Sequence, residues 1–408
     1  MSKRNIVTGI DVGSAMTRVV ICEALDPSAP PQIIGTGAAE THGLRRGYMV
    51  NVDSAAKSIA LAVSRAEKAA GTKIDSAFFS AGGVGLEGTI SVGSALVSQA
   101  DGEVGAHDVE RACISAESFV RDNSNKKVLH TVPISFRLDG KEVLGRPRGM
   151  KGMKLEAKAL VITALSQHIN DLISAADLAG VEVLDVLPAP IAASWVVLSK
   201  QQKTAGCALT DIGSETVSVT VFENSLPVSL QVFPVGSTDM TNDIALGLQV
   251  SLEEAEKFKV GRLGDTKKPE LEAITEKRLT EIFGMVEAHL KKIDRNELLP
   301  AGIILIGGGS GIKTAEAIAK NFLKLPSSIG VLHYRERGRS ADFAPARGNG
   351  RKNFPQKTMK DGPSWAIAYG LCVLGSQDEQ DETILAGSKD LFDGFKAKVS
   401  KIFKQFLP

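Results

Sequence analysis

The sequence has few cysteines and almost no net charge. Its four cysteines, Cys22, Cys113, Cys207 and Cys372, lie far apart and form no C-x-x-C pair. Neither a disulfide framework nor a zinc site is indicated. The formal net charge of +1 provides no global basic field, so we expect no nucleic-acid partner. The N-terminus contains neither a signal peptide nor a long apolar run, which predicts a cytoplasmic protein.

Two segments in the two halves of the chain have the same organisation. The apolar runs 6–12 and 207–212 each include the start of an Asp-x-Gly-Ser sequence, and each is followed by further strand-like segments. Helical periods follow in both halves, so strands and helices are mixed throughout. At 408 residues the chain is also longer than one compact core usually supports. We predict an α/β protein with a duplicated scaffold and a cleft between two lobes.

The two Asp-x-Gly-Ser turns, 11–14 and 211–214, are candidate phosphate sites. Glycine in such a turn lets backbone amides approach a phosphate without a Cβ in the way. A carboxylate beside a phosphate would repel it unless a divalent cation intervened. The predicted Mg²⁺ ligands, acting through water, are therefore Asp11 and Asp211, and the predicted phosphate contacts are Gly13, Ser14, Gly213 and Ser214.

A third glycine-rich turn follows the apolar run 303–306. Such a turn lets a flat base or a ribose lie directly on the backbone. The predicted contacts are Gly307, Gly308 and Gly309. Alone, this turn would fit any strand-to-helix connection of an α/β protein. Because it follows two Asp-x-Gly turns, it supports the prediction of a base or ribose contact.

The C-terminal segment 389–408 has the pattern of an amphipathic helix. It is too short and too charged to span a bilayer, but it can lie in the interface of an anionic membrane. The alternative is packing on the protein's own core or on a partner helix. The predicted membrane contacts are Leu391, Phe392, Phe395, Lys396, Lys398, Val399, Lys401, Ile402, Phe403, Lys404 and Phe406.

Two further segments are defined by their charge. Residues 376–388 are polar and acidic and are predicted to be a linker to the amphipathic segment. The basic, Gly- and Pro-rich segment 333–362 is predicted to be a mobile solvated loop, with a protein or lipid contact as the alternative.

The order of these motifs resembles that of the actin, Hsp70 and sugar-kinase superfamily. The two connecting helices of that superfamily are similar to segments 188–194 and 365–370 of this chain. The resemblance implies ATP as the cofactor with Mg²⁺, and it assigns ribose and adenine contacts to Glu256 and Lys259. Ser194 stands where actin has a glutamine that orients the attacking water, so ATP hydrolysis is expected to be slow or absent.

Within the superfamily the chain most resembles the bacterial cell-division actin FtsA, because of its inserted segment, its length and its tail. The resemblance implies a division into subdomains. Their expected bounds are 1–83, 163–198 and 363–375 for subdomain 1A, 84–162 for the inserted subdomain 1C, 199–242 and 299–362 for subdomain 2A, and 243–298 for subdomain 2B.

The resemblance to FtsA also implies a function. The chain would bind ATP, self-associate on the cytoplasmic face of the cell membrane at the division site, and tether the FtsZ ring there. Residues 243–298 would contact the C-terminal peptide of FtsZ, and the inserted subdomain could contact other division proteins. Two alternatives remain: a type IV pilus assembly actin of the PilM kind, and a small-molecule kinase of the same fold.

Overall fold

The computed structural model describes residues 5–25, 29–121, 125–261, 268–336, 339–341 and 362–382. The predicted amphipathic segment 389–408 and most of the basic segment 333–362 lie outside these ranges. The predicted loop is wrong at residues 334–336 and 339–341, which form two paired antiparallel strands. Within them, no helix is both long enough and apolar enough to cross a membrane.

Strands and helices are mixed along the chain. The strands are β1 (Ile6–Val12), β2 (Met16–Glu23), β3 (Gln32–Glu40), β4 (Leu44–Arg45), β5 (Tyr48–Met49), β6 (Ser76–Ala81), β7 (Glu87–Leu96), β8 (Lys126–Leu138), β9 (Lys141–Val143), β10 (Lys154–Leu165), β11 (Glu182–Pro188), β12 (Cys207–Ile212), β13 (Val217–Glu223), β14 (Leu226–Phe233), β15 (Ile303–Ile306), β16 (Ser327–Ile329), β17 (Tyr334–Glu336) and β18 (Arg339–Ala341). The helices are α1 (Val52–Ala70), α2 (Ala106–Arg121), α3 (Ser166–Leu178), α4 (Ala189–Val197), α5 (Lys200–Ala205), α6 (Ser237–Leu248), α7 (Leu252–Lys259), α8 (Lys268–Lys292), α9 (Ala315–Leu323) and α10 (Ala366–Glu382).

Two sheets of matching topology form the two lobes. In lobe one, β1, β2 and β3 are consecutive antiparallel neighbours, and β6 pairs with β1 in parallel. In lobe two, β12, β13 and β14 repeat the antiparallel arrangement, and β15 pairs with β12 in parallel. Because β1 and β12 hold the same place in their sheets, the turns that follow them are structurally equivalent. The predicted duplication is confirmed.

Close packing in lobe one depends on small residues. A Cβ added to Gly37 of β3 would lie 2.1 Å from the backbone oxygen of Ala62, so glycine lets α1 pack directly against the strand.

The Asn51 side chain caps the start of α1 by accepting a hydrogen bond from the Ser54 amide, and Gly71 ends the helix with φ +69°.

The two connecting helices cross each other at small residues, as the sequence predicts. A Cβ on Gly370 of α10 would lie 2.0 Å from the backbone oxygen of Ala192 in α4. The expected linker is wrong in its first part, because α10 continues to Glu382 and residues 376–382 are helical. Ser376, the first residue of the expected linker, is buried in this helix, and its hydroxyl donates a hydrogen bond to the backbone oxygen of Val373.

The inserted segment forms a four-stranded antiparallel sheet in the order β7-β10-β8-β9. Helix α2 packs on this sheet, and Leu155, Phe136 and Ala112 belong to a small separate core. Strand β7 leaves lobe one after β6, and β10 returns to it at α3. The insert is therefore a compact addition that leaves the duplicated sheets intact.

Candidate functional site

A cleft of about 350 Å³ lies between the two lobes. Strands β1 and β12 both end at this cleft, and the turns that follow them line it from opposite sides. The structure brings together ten of the eleven predicted cleft residues. These are Asp11, Gly13, Ser14, Asp211, Gly213, Ser214, Glu256, Lys259, Gly307 and Gly308.

The two Asp-x-Gly-Ser turns close with the same backbone hydrogen bond. The Gly13 amide donates to the Met16 oxygen at 3.2 Å, and the Gly213 amide donates to the Thr216 oxygen at 2.9 Å. A Cβ would lie 3.1 Å from that oxygen at Gly13 and 2.9 Å from it at Gly213. The tight turns therefore favour glycine at both positions.

The carboxylates of Asp11 and Asp211 share a desolvated environment. Asp11 accepts a hydrogen bond from the Ser80 hydroxyl at 2.7 Å, but burial raises its pKa above the ordinary value. Burial raises the pKa of Asp211 to about 7, and the charge of Asp11 contributes in the same direction. Arg18 acts in the opposite direction on both carboxylates. Two carboxylates in this state need a compensating cation when ionised.

A hydrated divalent cation fits this pair. Mg²⁺ keeps several waters and is commonly held by one or two carboxylates together with substrate phosphates. Within the described residues, no cluster of three or more His, Cys, Asp or Glu side chains could hold a metal by itself. The pair therefore fits a cation that arrives with a phosphate-bearing ligand.

The third glycine turn is built against the second carboxylate. Gly307 has φ +83°, and a Cβ there would lie 2.1 Å from Oδ1 of Asp211. Gly308 faces open space in the cleft, with nothing within 4 Å of an added Cβ. Gly309, the eleventh predicted residue, is buried against Ile212, so it supports the turn from behind.

Helix α7 brings a polar cluster to the same cleft. Lys259 Nζ lies 2.7 Å from Oε2 of Glu256 and donates to the Thr241 hydroxyl at 2.7 Å and to the Ser237 backbone oxygen at 3.1 Å. The Thr241 hydroxyl contacts Glu256 at 2.7 Å. This cluster offers charged and neutral hydrogen-bonding groups to a sugar or a base.

The sequence did not reveal every residue of the site. Arg18 lines the cleft because it lies directly opposite Asp11 in the β1–β2 pair, and that register could have been inferred from the turn. Ser80 and Gly47 also line the cleft, but only the tertiary structure places them there. Ser194 is fully buried and donates to the Ile191 backbone oxygen at 2.7 Å, so its hydroxyl is turned into its own helix.

Two family models match parts of the chain. A family model described as Cell division protein FtsA matches residues 208–348, and one described as SHS2 domain inserted in FTSA matches residues 84–163. Together they cover more than half of the chain. The Cell division protein FtsA of Pseudomonas aeruginosa is 27% identical, over 98% of this chain and 97% of the relative.

Solved structures show the same fold. A chain of a PilM–PilN type IV pilus biogenesis complex has a TM-score of 0.67 at 17% identity, covering 92% of this chain and 99% of that one. MreB5 of Spiroplasma citri bound to ADP has a TM-score of 0.52 at 10% identity, covering 94% and 99%. The fold is therefore that of the actin-like ATPases. The two family models and the near full-length relative establish that the chain belongs to the FtsA family of cell division proteins.

Proposed function

We propose that this chain binds ATP with Mg²⁺ between its lobes, self-associates on the cytoplasmic face of the cell membrane at the division site, and tethers the FtsZ ring there. The observation that carries the nucleotide part is the meeting of two equivalent Asp-x-Gly-Ser turns, one from each lobe, at a single cleft. Turns on both sides of a polyphosphate can hold it between the lobes.

The residues that line the cleft would contact different parts of the nucleotide. Gly13 and Gly213 would let phosphates approach the backbone of the two turns, and the hydroxyls of Ser14 and Ser214 would donate to phosphate oxygens. Asp11 and Asp211 would hold hydrated Mg²⁺, which supplies the positive charge that the phosphates and the two carboxylates share. Gly308 offers a flat surface to the base, and the cluster of Glu256 and Lys259 would contact the ribose and adenine. MreB5, which has a related fold, was solved with ADP.

The tether requires two further contacts. The segment 389–408 would place its apolar residues in the membrane interface and its lysines against anionic headgroups. The FtsZ C-terminal peptide would bind within 243–298, where Leu246 and Leu252 are 79% and 59% exposed. One amphipathic helix binds a membrane weakly, so self-association would strengthen attachment by raising the effective concentration of the others.

The alternatives are less well supported. A small-molecule kinase needs a spare carboxylate base in the cleft, but the acidic residues among the described lining residues are Asp11, Asp211 and Glu256. Glu256 is already engaged by Lys259. A pilus actin of the PilM kind shares the fold, at a TM-score of 0.67, whereas the family models and the Pseudomonas aeruginosa relative favour division.

Co-sedimentation with anionic liposomes tests the tether. The full chain and a variant truncated after Gly387 are mixed with vesicles of phosphatidylglycerol and phosphatidylethanolamine, with and without Mg²⁺-ATP. We expect the full chain alone to pellet with lipid, and more efficiently with ATP. Equal pelleting of both chains would contradict the anchoring role of the tail.

The same assay tests the partner when purified FtsZ is added. We expect FtsZ to enter the lipid pellet only together with the full chain, and an FtsZ lacking its C-terminal peptide to stay in the supernatant. Leu246→Asp in the exposed surface of 243–298 should reduce recruitment while lipid binding persists. Recruitment that is indifferent to the FtsZ peptide would contradict this part of the proposal.

A further inference from the structure

A short hairpin, β4 and β5, stands at the edge of the cleft. Its two turn residues, Arg46 and Gly47, have φ values of +51° and +76°, which are typical of a tight two-residue turn. Gly47 is pressed against Gly83 of lobe one, since a Cβ on Gly47 would lie 2.2 Å from the Gly83 Cα. The backbone of the 44–49 hairpin is therefore fixed closely against the wall of lobe one.

The two turn amides point to the two phosphate turns. The Gly47 amide donates to the Ser14 hydroxyl oxygen at 3.0 Å, within lobe one. The adjacent Arg46 amide donates to Oε2 of Glu215, which follows the second Asp-x-Gly-Ser turn in lobe two. Neighbouring amides of one hairpin thus contact the first phosphate turn and the residue that follows the second. The Gly47 bond lies within lobe one, whereas the Arg46–Glu215 bond forms only when the two lobes are close together.

The hydrogen-bond roles fit a bound phosphate. Because the Ser14 oxygen accepts from Gly47, its own hydroxyl proton is directed elsewhere and can be donated to a phosphate oxygen. Glu215 is not one of the proposed phosphate-binding residues. Its carboxylate instead accepts from an amide of the opposite lobe, and a hydrogen bond to a charged acceptor is stronger than one between neutral groups.

We propose that Glu215 is a positioning residue of the nucleotide site, which holds the cleft closed over a nucleoside triphosphate through the 44–49 hairpin. This inference rests on the proposed nucleotide binding. A triphosphate with its cation contacts both turns and draws the lobes to the separation at which the Arg46–Glu215 bond forms. Loss of the Glu215 acceptor then speeds release of the bound nucleotide.

Two measurements on the full-length protein test the role of Glu215. The first is the dissociation rate of a fluorescent, non-hydrolysable ATP analogue with Mg²⁺, measured by stopped flow. We expect Glu215→Ala to raise this rate about tenfold, as the loss of one charge-assisted hydrogen bond implies. Glu215→Gln keeps an acceptor oxygen but loses the charge, so its rate should lie between those of wild type and Glu215→Ala. Glu142→Ala, at an exposed glutamate of the insert, is the matched control.

The second measurement is amide hydrogen exchange, in the wild-type protein and in Glu215→Ala. The Arg46 and Gly47 amides should exchange more slowly with Mg²⁺ and the triphosphate analogue than without them. In Glu215→Ala this protection should be lost at Arg46.

The outcomes distinguish nucleotide binding by the cleft from the positioning role of Glu215. If the wild type binds no nucleotide, the proposed function fails. If it binds nucleotide but Glu215→Ala releases it at the rate of Glu142→Ala, or Glu215→Gln is as impaired as Glu215→Ala, the role of Glu215 is wrong. Unchanged exchange of the Arg46 amide in the wild type on nucleotide binding would overturn it as well.

Discussion

Asp11 and Asp211 are the penultimate residues of equivalent strands of the two lobes and face one cleft, where the charge of Asp11 adds to burial in raising the pKa of Asp211 to about 7. Two carboxylates that repel each other in a desolvated cleft make the cleft unfavourable for a bare anion. They make it favourable for a divalent cation that can neutralise both. Without a cation, ionisation of these desolvated carboxylates should destabilise the folded protein.

The nucleotide-free protein should lose stability as the pH rises through neutrality. The folded state binds the Asp211 proton more tightly than the unfolded chain, whose carboxyl has its ordinary pKa of 3.8. This contribution is fully present below pH 3.8 and is lost as the pH rises through about 7. The thermal midpoint of the wild type in EDTA should therefore be lower at pH 8 than at pH 6. Asp211→Asn carries no titrating group there and should show a smaller fall; an equal fall would contradict the assignment.

A side chain at Gly308 should block the cleft without disturbing the fold. A Cβ there meets nothing within 4 Å, and the residue lines the cleft. Gly308→Leu should keep the thermal midpoint but weaken binding of a fluorescent ATP analogue about tenfold or more, because its side chain occupies the space of the base. Gly311→Leu is the matched control, since Gly311 also has nothing within 4 Å and does not line the cleft. Equal affinities of the two variants would argue against a base at Gly308.

Alanine at Gly307 should destabilise the protein. The residue has φ +83°, and its added Cβ would lie 2.1 Å from Asp211 Oδ1, so the change combines backbone strain with a steric clash. We expect a loss of about 1–3 kcal/mol in the free energy of unfolding by urea. Gly180→Ala isolates the first effect, because Gly180 has φ +77° and an added Cβ there would meet nothing within 4 Å. A Gly307→Ala variant no less stable than Gly180→Ala would contradict the packing of the turn on Asp211.

Ser194 should take no part in ATP turnover. Its hydroxyl is buried and donates to the Ile191 backbone oxygen, and it does not line the cleft. We expect wild type and Ser194→Ala to release phosphate from Mg²⁺-ATP at the same slow rate. Brisk release by the wild type would contradict the expectation of slow hydrolysis, and loss of release in the variant would assign Ser194 a role in the reaction.

The sequence predicts those parts of the site that lie on local turns. Asp-x-Gly-Ser after an apolar run indicates both the turn and its glycine, and two copies indicate two equivalent turns. The close crossing of α4 and α10 also follows from local sequence, because Gly370 and Ala192 are small. Arg18 could have been included, since antiparallel pairing across the turn places it beside Asp11.

Other features depend on contacts between distant segments. The bond from the Arg46 amide to Glu215 joins residues 169 positions apart, and nothing local in either segment indicates it. The end of α10 was missed for a different reason. An acidic, polar composition is typical of both a linker and the solvated last turns of a helix, so composition alone placed the boundary too early at 376. The burial of Ser376 distinguishes the two.

The most direct test of the account is the affinity for ATP at pH 8 with Mg²⁺ and with EDTA, measured by calorimetry for the wild type and Asp211→Asn. We expect tight binding by the wild type that depends on Mg²⁺, and a loss of about tenfold or more in the variant when the cation is present. Binding of equal strength in EDTA, or an unchanged affinity in Asp211→Asn, would contradict a cation-bridged nucleotide between the two turns.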